Sequence, residues 1–158
     1  MEEIKYVYGS IVEPQQTGTT LILHLCNDKG RWLRGIMQLL STKWPNVHAR
    51  YRKWYSNRFS LDFKLGKYIV QDVEDDVKVV SILGQHGVLS GDYSNIPVRY
   101  GAVEQALHDI AIEFKDVEDV SVHIPKLGCE TGGGTWDRMK PIIEKTLLTN
   151  DIPVTVYE

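Results

Sequence analysis

The stretch richest in chemistry is residues 122 to 137, V-H-I-P-K-L-G-C-E-T-G-G-G-T-W-D. An apolar, strand-like run enters a loop holding Gly128, Gly132, Gly133 and Gly134, and that loop opens a helix. Glycines let a ligand approach the backbone, and the N–H groups at a helix start attract an anion, so a phosphate is the natural guest. No Lys-Ser or Lys-Thr follows the last glycine and the spacing is not G-x-G-x-x-G, which disfavours nucleoside triphosphate and dinucleotide loops of the familiar kinds. Residues 26 to 36, C-N-D-K-G-R-W-L-R-G-I, repeat the construction, with a strand end, polar groups, two glycines and a helix start. Open α/β sheets bind ligands beyond the carboxyl ends of their strands, so the two loops are expected to face one crevice and to suit a diphosphate. Gly84, Gln85 and His86 also follow a strand and fall on the same rim.

The elements that must position these groups are legible from periodicity. Strands are expected at Ile4–Tyr8, Thr20–Cys26, Tyr68–Val73, Val77–Leu83, Val120–Ile124 and Val154–Tyr157, the third and fourth flanking an acidic turn. Leu33, Ile36, Met37 and Leu40 recur at helical spacing, and Pro45 opens a second helix running towards Tyr55. That second helix mixes His48, Arg50, Tyr51, Arg52, Lys53 and Trp54. It reads either as a basic, aromatic contact face or as an amphipathic helix with its rings inward. Gly84 to Asn95 is expected as a loop, Pro97 as the start of a helix carrying Val103, Leu107, Ile110 and Phe114, and Met139, Ile142, Ile143 and Leu147 as the face of the last helix. Alternation of strands and helices predicts a three-layer α/β/α sandwich with a mixed central sheet, residues 1 to 158 forming a single domain.

The 158 residues, 42% hydrophobic and 25% charged, suit one domain with a core that needs no disulfide or structural metal. A net charge of -3 gives no footprint for general nucleic-acid binding, although it leaves room for local basic clusters. No apolar window approaches a membrane span or a signal segment, so no membrane partner is expected. Cys26 and Cys129 are too few for a disulfide framework and lack metal-ligand spacing, which points to a reducing, cytoplasmic setting without a metal or other cofactor.

The order of these motifs resembles the macro domain, the ADP-ribose-binding module, over nearly the whole chain. The likeness is strongest in I-P-K-L-G-C-E-T-G-G-G-T-W, the following helix and V-T-V-Y. Within the family the chain looks closest to the branch of ADP-ribose-1''-phosphate phosphatases and terminal ADP-ribose protein glycohydrolases. The resemblance implies ADP-ribose, or an ADP-ribosylated molecule, as partner. It places Ser10 and Ile11 near the adenine, where the family usually has an aspartate at the position of Ser10. It puts His24, Cys26, Asn27, Gly35 and Ile36 beside the distal ribose and diphosphate, together with Gly84 and Gln85. Gly128, Cys129, Glu130, Thr131, Gly132 and Gly133 would wrap the diphosphate from the other side, and Tyr157 would lie over the adenine.

The lysine and aspartate used by the glycohydrolase branch correspond here to Gln85 or His86 and to Gly132, which removes a lysyl-adduct route. Asn27, Asp28, His86 and Glu130 remain near the crevice, from which Asn27 is expected to position a water and His86 to transfer a proton. Two outcomes follow for function. The chain binds ADP-ribose or a derivative and hydrolyses it at the distal ribose, as a phosphatase, deacylase or de-ADP-ribosylating enzyme, or it is a non-catalytic reader or protein-interaction module on the same fold.

Overall fold

The computed structural model describes residues 2–14, 17–60, 62–89, 95–129 and 131–158. Its strands are β1 (Lys5–Val7), β2 (Thr20–Asn27), β3 (Tyr68–Glu74), β4 (Val77–Gln85), β5 (Ser121–Ile124) and β6 (Val154–Tyr157). Its helices are α1 (Ile36–Lys43), α2 (Pro45–Ser56), α3 (Tyr100–Phe114) and α4 (Trp136–Thr146). The strands form one sheet in the order β1-β6-β5-β2-β4-β3. Every neighbouring pair is parallel except the β3–β4 hairpin, so the sheet is mixed, as expected.

Side-chain parity sorts the sheet into two faces. Leu21, Leu23 and Leu25 of β2 point into one cluster with Val103 and Leu107 of α3 and Met139 and Ile143 of α4. Ile22 and Cys26, on the opposite face of β2, meet Leu40 of α1, Trp44 and Val47 in one cluster and Met37, Tyr51 and Trp54 in another. The result is a three-layer α/β/α sandwich. Tyr51 and Trp54 are buried, so α2 is amphipathic with these rings inward and with Arg50, Arg52 and Lys53 outward.

β2 and β5 lie side by side at the middle of the sheet, paired Thr20↔Ser121, Leu21↔Val122 and Ile22↔His123. The chain leaving β2 travels through α1 and α2 to the β3–β4 side, whereas the chain leaving β5 travels through α4 to β6. Diverging connections of this kind leave a crevice over the carboxyl ends of the two strands.

The loop expected from Gly84 begins later, and the helix expected at Pro97 begins at Tyr100. Gly84 and Gln85 belong to β4, and residues 97–99 are held extended against them. The His86 amide donates to the Pro97 carbonyl (2.8 Å), the Arg99 amide to Gly84 (2.8 Å) and the Val98 amide to Gly132 (3.0 Å). Three rim segments are thereby laced together.

The α1–α2 face of the sheet also carries two buried histidines. His24 is 0% exposed and bonds Ser81 Oγ at 2.7 Å, while His123 lies between Ser121 Oγ (2.9 Å) and the Tyr157 hydroxyl (2.7 Å). Burial lowers His24 from its ordinary 6.5 to about 4, and burial together with the Lys5 charge does the same for His123. Protonation in the unfolded chain therefore withdraws stability as pH falls from 6.5 towards 4, by up to about 1.4 kcal/mol per pH unit for each histidine, while that contribution is fully present above 6.5. Urea unfolding at about pH 7.5 and about pH 5 should show a marked loss for the parent and a smaller one for His24→Gln. Equal losses in the two proteins would mean that His24 is not held neutral by the fold.

Candidate functional site

The first loop of the crevice, between β2 and α1, is organised by Asn27. Its side-chain Oδ1 accepts the amides of Lys29 (3.0 Å) and Arg31 (3.1 Å), and Nδ2 donates to the Arg31 carbonyl (2.8 Å). From α2 the Tyr51 hydroxyl donates to the Asn27 carbonyl at 2.6 Å. A buried polar group is held only when satisfied in this way, and an asparagine side chain mimics a turn of backbone. The loop ends at Gly35, the residue before α1, with φ 85° and ψ -132°. Side chains are strained there, so only glycine brings the chain round to present the first amides of α1 without a side-chain cap.

The second loop, between β5 and α4, is folded on itself by a bond from the Gly134 amide to the Gly128 carbonyl (2.7 Å). Gly132 sits so close that an added Cβ would lie 2.6 Å from the Gly128 oxygen and 3.1 Å from Gln85 Oε1. The backbone N–H groups of Thr131, Gly132 and Gly133 donate to no acceptor among the described residues. Between the two loops lies a narrow slot lined by Arg34, Ile36 and Met37 from the first, by Pro125, Leu127, Gly128 and Thr131 from the second, and by Gln85 of β4. Beside it, sharing Arg34 and Thr131, lies a wider depression of about 590 Å³ bordered also by Arg31, Leu33 and Leu89.

At the end of β4, Asp28 Oδ2 lies 2.6 Å from His86 Nδ1, and Asp28 Oδ1 accepts the Gly87 amide at 2.8 Å. Burial pushes the Asp28 carboxyl up, but the Gly87 amide, the His86 hydrogen bond and the neighbouring positive charges outweigh it and hold the group below its ordinary value. The imidazole itself is 52% exposed. Its Nε2 bonds nothing among the described residues, which leaves that nitrogen open towards solvent. An anchored carboxylate behind an open imidazole orients it for proton transfer.

A further cavity of about 180 Å³ lies over the β1–β6–β5 face, which α1 and α2 leave uncovered. Lys5, Thr155 and His123 stand in register on its floor, and Ser10, Glu13 and Tyr157 complete its walls. The Tyr157 ring is fixed by its hydroxyl bond to His123.

The structure brings Gly35, Ile36, Gln85, His86, Gly128, Cys129, Thr131, Gly132 and Gly133 to one rim, and Ser10 and Tyr157 to the neighbouring cavity. Glu130 lies outside the described residues. Four expectations are corrected. His24 and Cys26 are sealed in the layer between the sheet and α1–α2, 0% exposed, while the Ile11 side chain packs into the same layer at 4%. Gly84 packs against Val103 and Leu25 from inside β4. The Asn27 side chain is spent on its own loop and buried to 1%, so it shapes the rim and does not hold a water in the crevice. Sequence reasoning passed over Arg31 and Arg34 as rim cations, Glu13 and His123 as cavity walls, and the pairing of Asp28 with His86. The closely spaced charges of D-K-G-R-W-L-R were the available signal for the first two.

No family model matches the chain. It is 30% identical over 167 residues to the mouse (Mus musculus) chromodomain-helicase-DNA-binding protein 1-like, covering 98% of this chain but only 17% of that protein, so it spans about a sixth of the length of that relative. It is 28% identical to the ADP-ribose 1''-phosphate phosphatase of Candida glabrata, over 100% of this chain and 99% of the relative. Among solved structures it is similar to a macrodomain protein from Streptomyces coelicolor, with 40% identity, a TM-score of 0.86 and 99% of both chains covered. Identity at that level across two whole chains, together with the sheet order and the paired glycine loops on one rim, shows that this chain belongs to the macro-domain family.

Proposed function

We propose that residues 1 to 158 form one domain that binds ADP-ribose or a derivative of it, with the diphosphate between the Gly35–Ile36 helix start and the Gly128–Gly133 loop. The observation that carries this reading is the set of Thr131, Gly132 and Gly133 amides that meet no acceptor among the described residues, in a loop whose Thr131 lines the same slot as Arg34. Oriented amides and a guanidinium stabilise phosphate oxygens without needing to reorganise. The adenine takes the cavity beside Tyr157, where the Ser10 hydroxyl and the Glu13 carboxylate are acceptors for its amino group. The likeness to a protein named as an ADP-ribose 1''-phosphate phosphatase supports the same ligand class.

The Asp28–His86 pair favours a second step, hydrolysis of an ester at the distal ribose, either a 1''-phosphate or an acyl group. His86 Nε2 takes a proton from water as the water oxygen bonds to the phosphorus or acyl carbon. The ester bond breaks, the proton passes to the departing ribose oxygen, and ADP-ribose leaves with phosphate or carboxylate. Asp28 acts through His86 as a positioning residue, and the loop amides steady the negative charge.

Calorimetry with ADP-ribose should give saturable heat, and Gly132→Glu, which sets bulk and charge against the Gly128 oxygen and the bound anion, should weaken it by at least about tenfold, or 1.4 kcal/mol. Unchanged affinity in a folded variant would remove the loop from the site. Phosphate release from ADP-ribose-1''-phosphate and deacylation of O-acetyl-ADP-ribose should drop about a hundredfold in His86→Asn. Asp28→Asn should fall less, at unaltered ADP-ribose affinity. Binding without turnover in the parent would make the protein a reader, and turnover unaffected by either variant would displace the pair from the chemistry.

A further inference from the structure

Charge is strongly segregated along this chain. Residues 29 to 67, which make α1, α2 and their flanking loops, hold ten of the eighteen lysines and arginines but, in Asp62, one of the twenty-one carboxylates. Asp62 is turned to Lys64 and Lys67 (3.6 and 3.4 Å). Among the described residues no carboxylate lies within salt-bridge distance of Arg31, Arg34, Arg50, Arg52, Lys53 or Arg58.

Aromatic rings alternate with these cations on the side of α2 that faces the rim. His48, Arg52 and Tyr55 recur at helical spacing, so they share one stripe. At one end His48 stacks on Trp32 of the rim loop, centroids 4.7 Å apart and planes 8° from parallel. At the other, Tyr55 backs onto Gly30 of the same loop, and Arg58 lies over both Tyr55 (4.1 Å) and Phe59 (4.7 Å). Phe59 is 91% exposed, an aromatic ring presented to solvent beside a guanidinium. Arg31 and Arg34 continue the stripe to the mouth of the crevice.

We infer that this stripe is a docking surface for single-stranded nucleic acid, its cations tracking the phosphates and the exposed Phe59 ring stacking on a base, with the strand leading to the mouth of the crevice. The chemistry separates this partner from an acidic peptide, which satisfies the cations and leaves the Phe59 ring unused, whereas every nucleobase has a face to stack; an anionic lipid surface also takes up an exposed ring and is separated by the vesicle comparison below. The chain's overall negative charge conceals the surface because the carboxylates lie elsewhere in the sequence. The inference goes beyond the ligand of the crevice and does not depend on it.

Fluorescence anisotropy with a fluorescein-labelled oligothymidylate at low salt should show saturable binding whose logarithm falls linearly with that of salt concentration. Arg52→Glu should weaken it about tenfold, and Phe59→Ala, which alters no charge at an exposed position, about fivefold. Lys145→Glu, on α4 in the opposite layer, should have no effect, and ADP-ribose heats should be unchanged in Arg52→Glu and Phe59→Ala. Absence of saturable binding, equal binding of polyglutamate or phosphatidylserine vesicles, or full affinity in Phe59→Ala would each overturn the assignment. Because the readout is the labelled strand, failure here is distinguishable from failure of ADP-ribose binding.

Discussion

Adjacency of β2 and β5 is the constraint on which the site depends. Three register pairs between these strands bring together two loops separated by about ninety residues of chain, and the diverging connections keep any helix from filling the space above them. Neither loop is a site alone. One contributes a helix start and arginines, the other contributes amides that meet no acceptor among the described residues, and only the pairing makes a slot with both walls.

Local polar bonds then fix what the topology juxtaposes. Asn27 ends β2 in the core and spends its side chain on two loop amides and a carbonyl, with Tyr51 bracing it from α2. One residue later the chain emerges, and Asp28 is free to meet His86 and Gly87 at the end of the neighbouring β4. The 97–99 segment ties that strand end to Gly132. A change at any of these bonds reaches the slot through backbone position, with no need to contact a ligand.

Most of the architecture was legible in the sequence because apolar periodicity reports burial directly. Among the described residues, six strands and four helices overlap the segments that alternation and helical spacing mark, with α3 starting three residues late and β4 running on to Gln85, and the two glycine loops announce themselves by composition. The misreadings have a common cause, which is that parity and long-range partners are invisible in a linear motif. His24 and Cys26 adjoin the rim in sequence but point into the α1–α2 layer, and Asn27 has a chemically suggestive side chain whose partners include a tyrosine 24 residues away. Pro97 reads as a helix start, yet the bonds from His86 and Arg99 hold its segment extended. The charge segregation of residues 29 to 67 was present in the sequence throughout and vanished only on averaging over the chain.

Clasping of a diphosphate by the two facing loops is the proposal on which the ligand, the adenine cavity and the chemistry at His86 all depend. An amide-resolved NMR titration with ADP-ribose tests it most directly, since the groups in question are backbone N–H donors. Saturable downfield shifts at Ile36, Thr131, Gly132 and Gly133, sharing one binding curve with changes at Tyr157, are the predicted result. Shifts absent from both loops, or confined to residues outside the slot while ADP-ribose still binds, would contradict it.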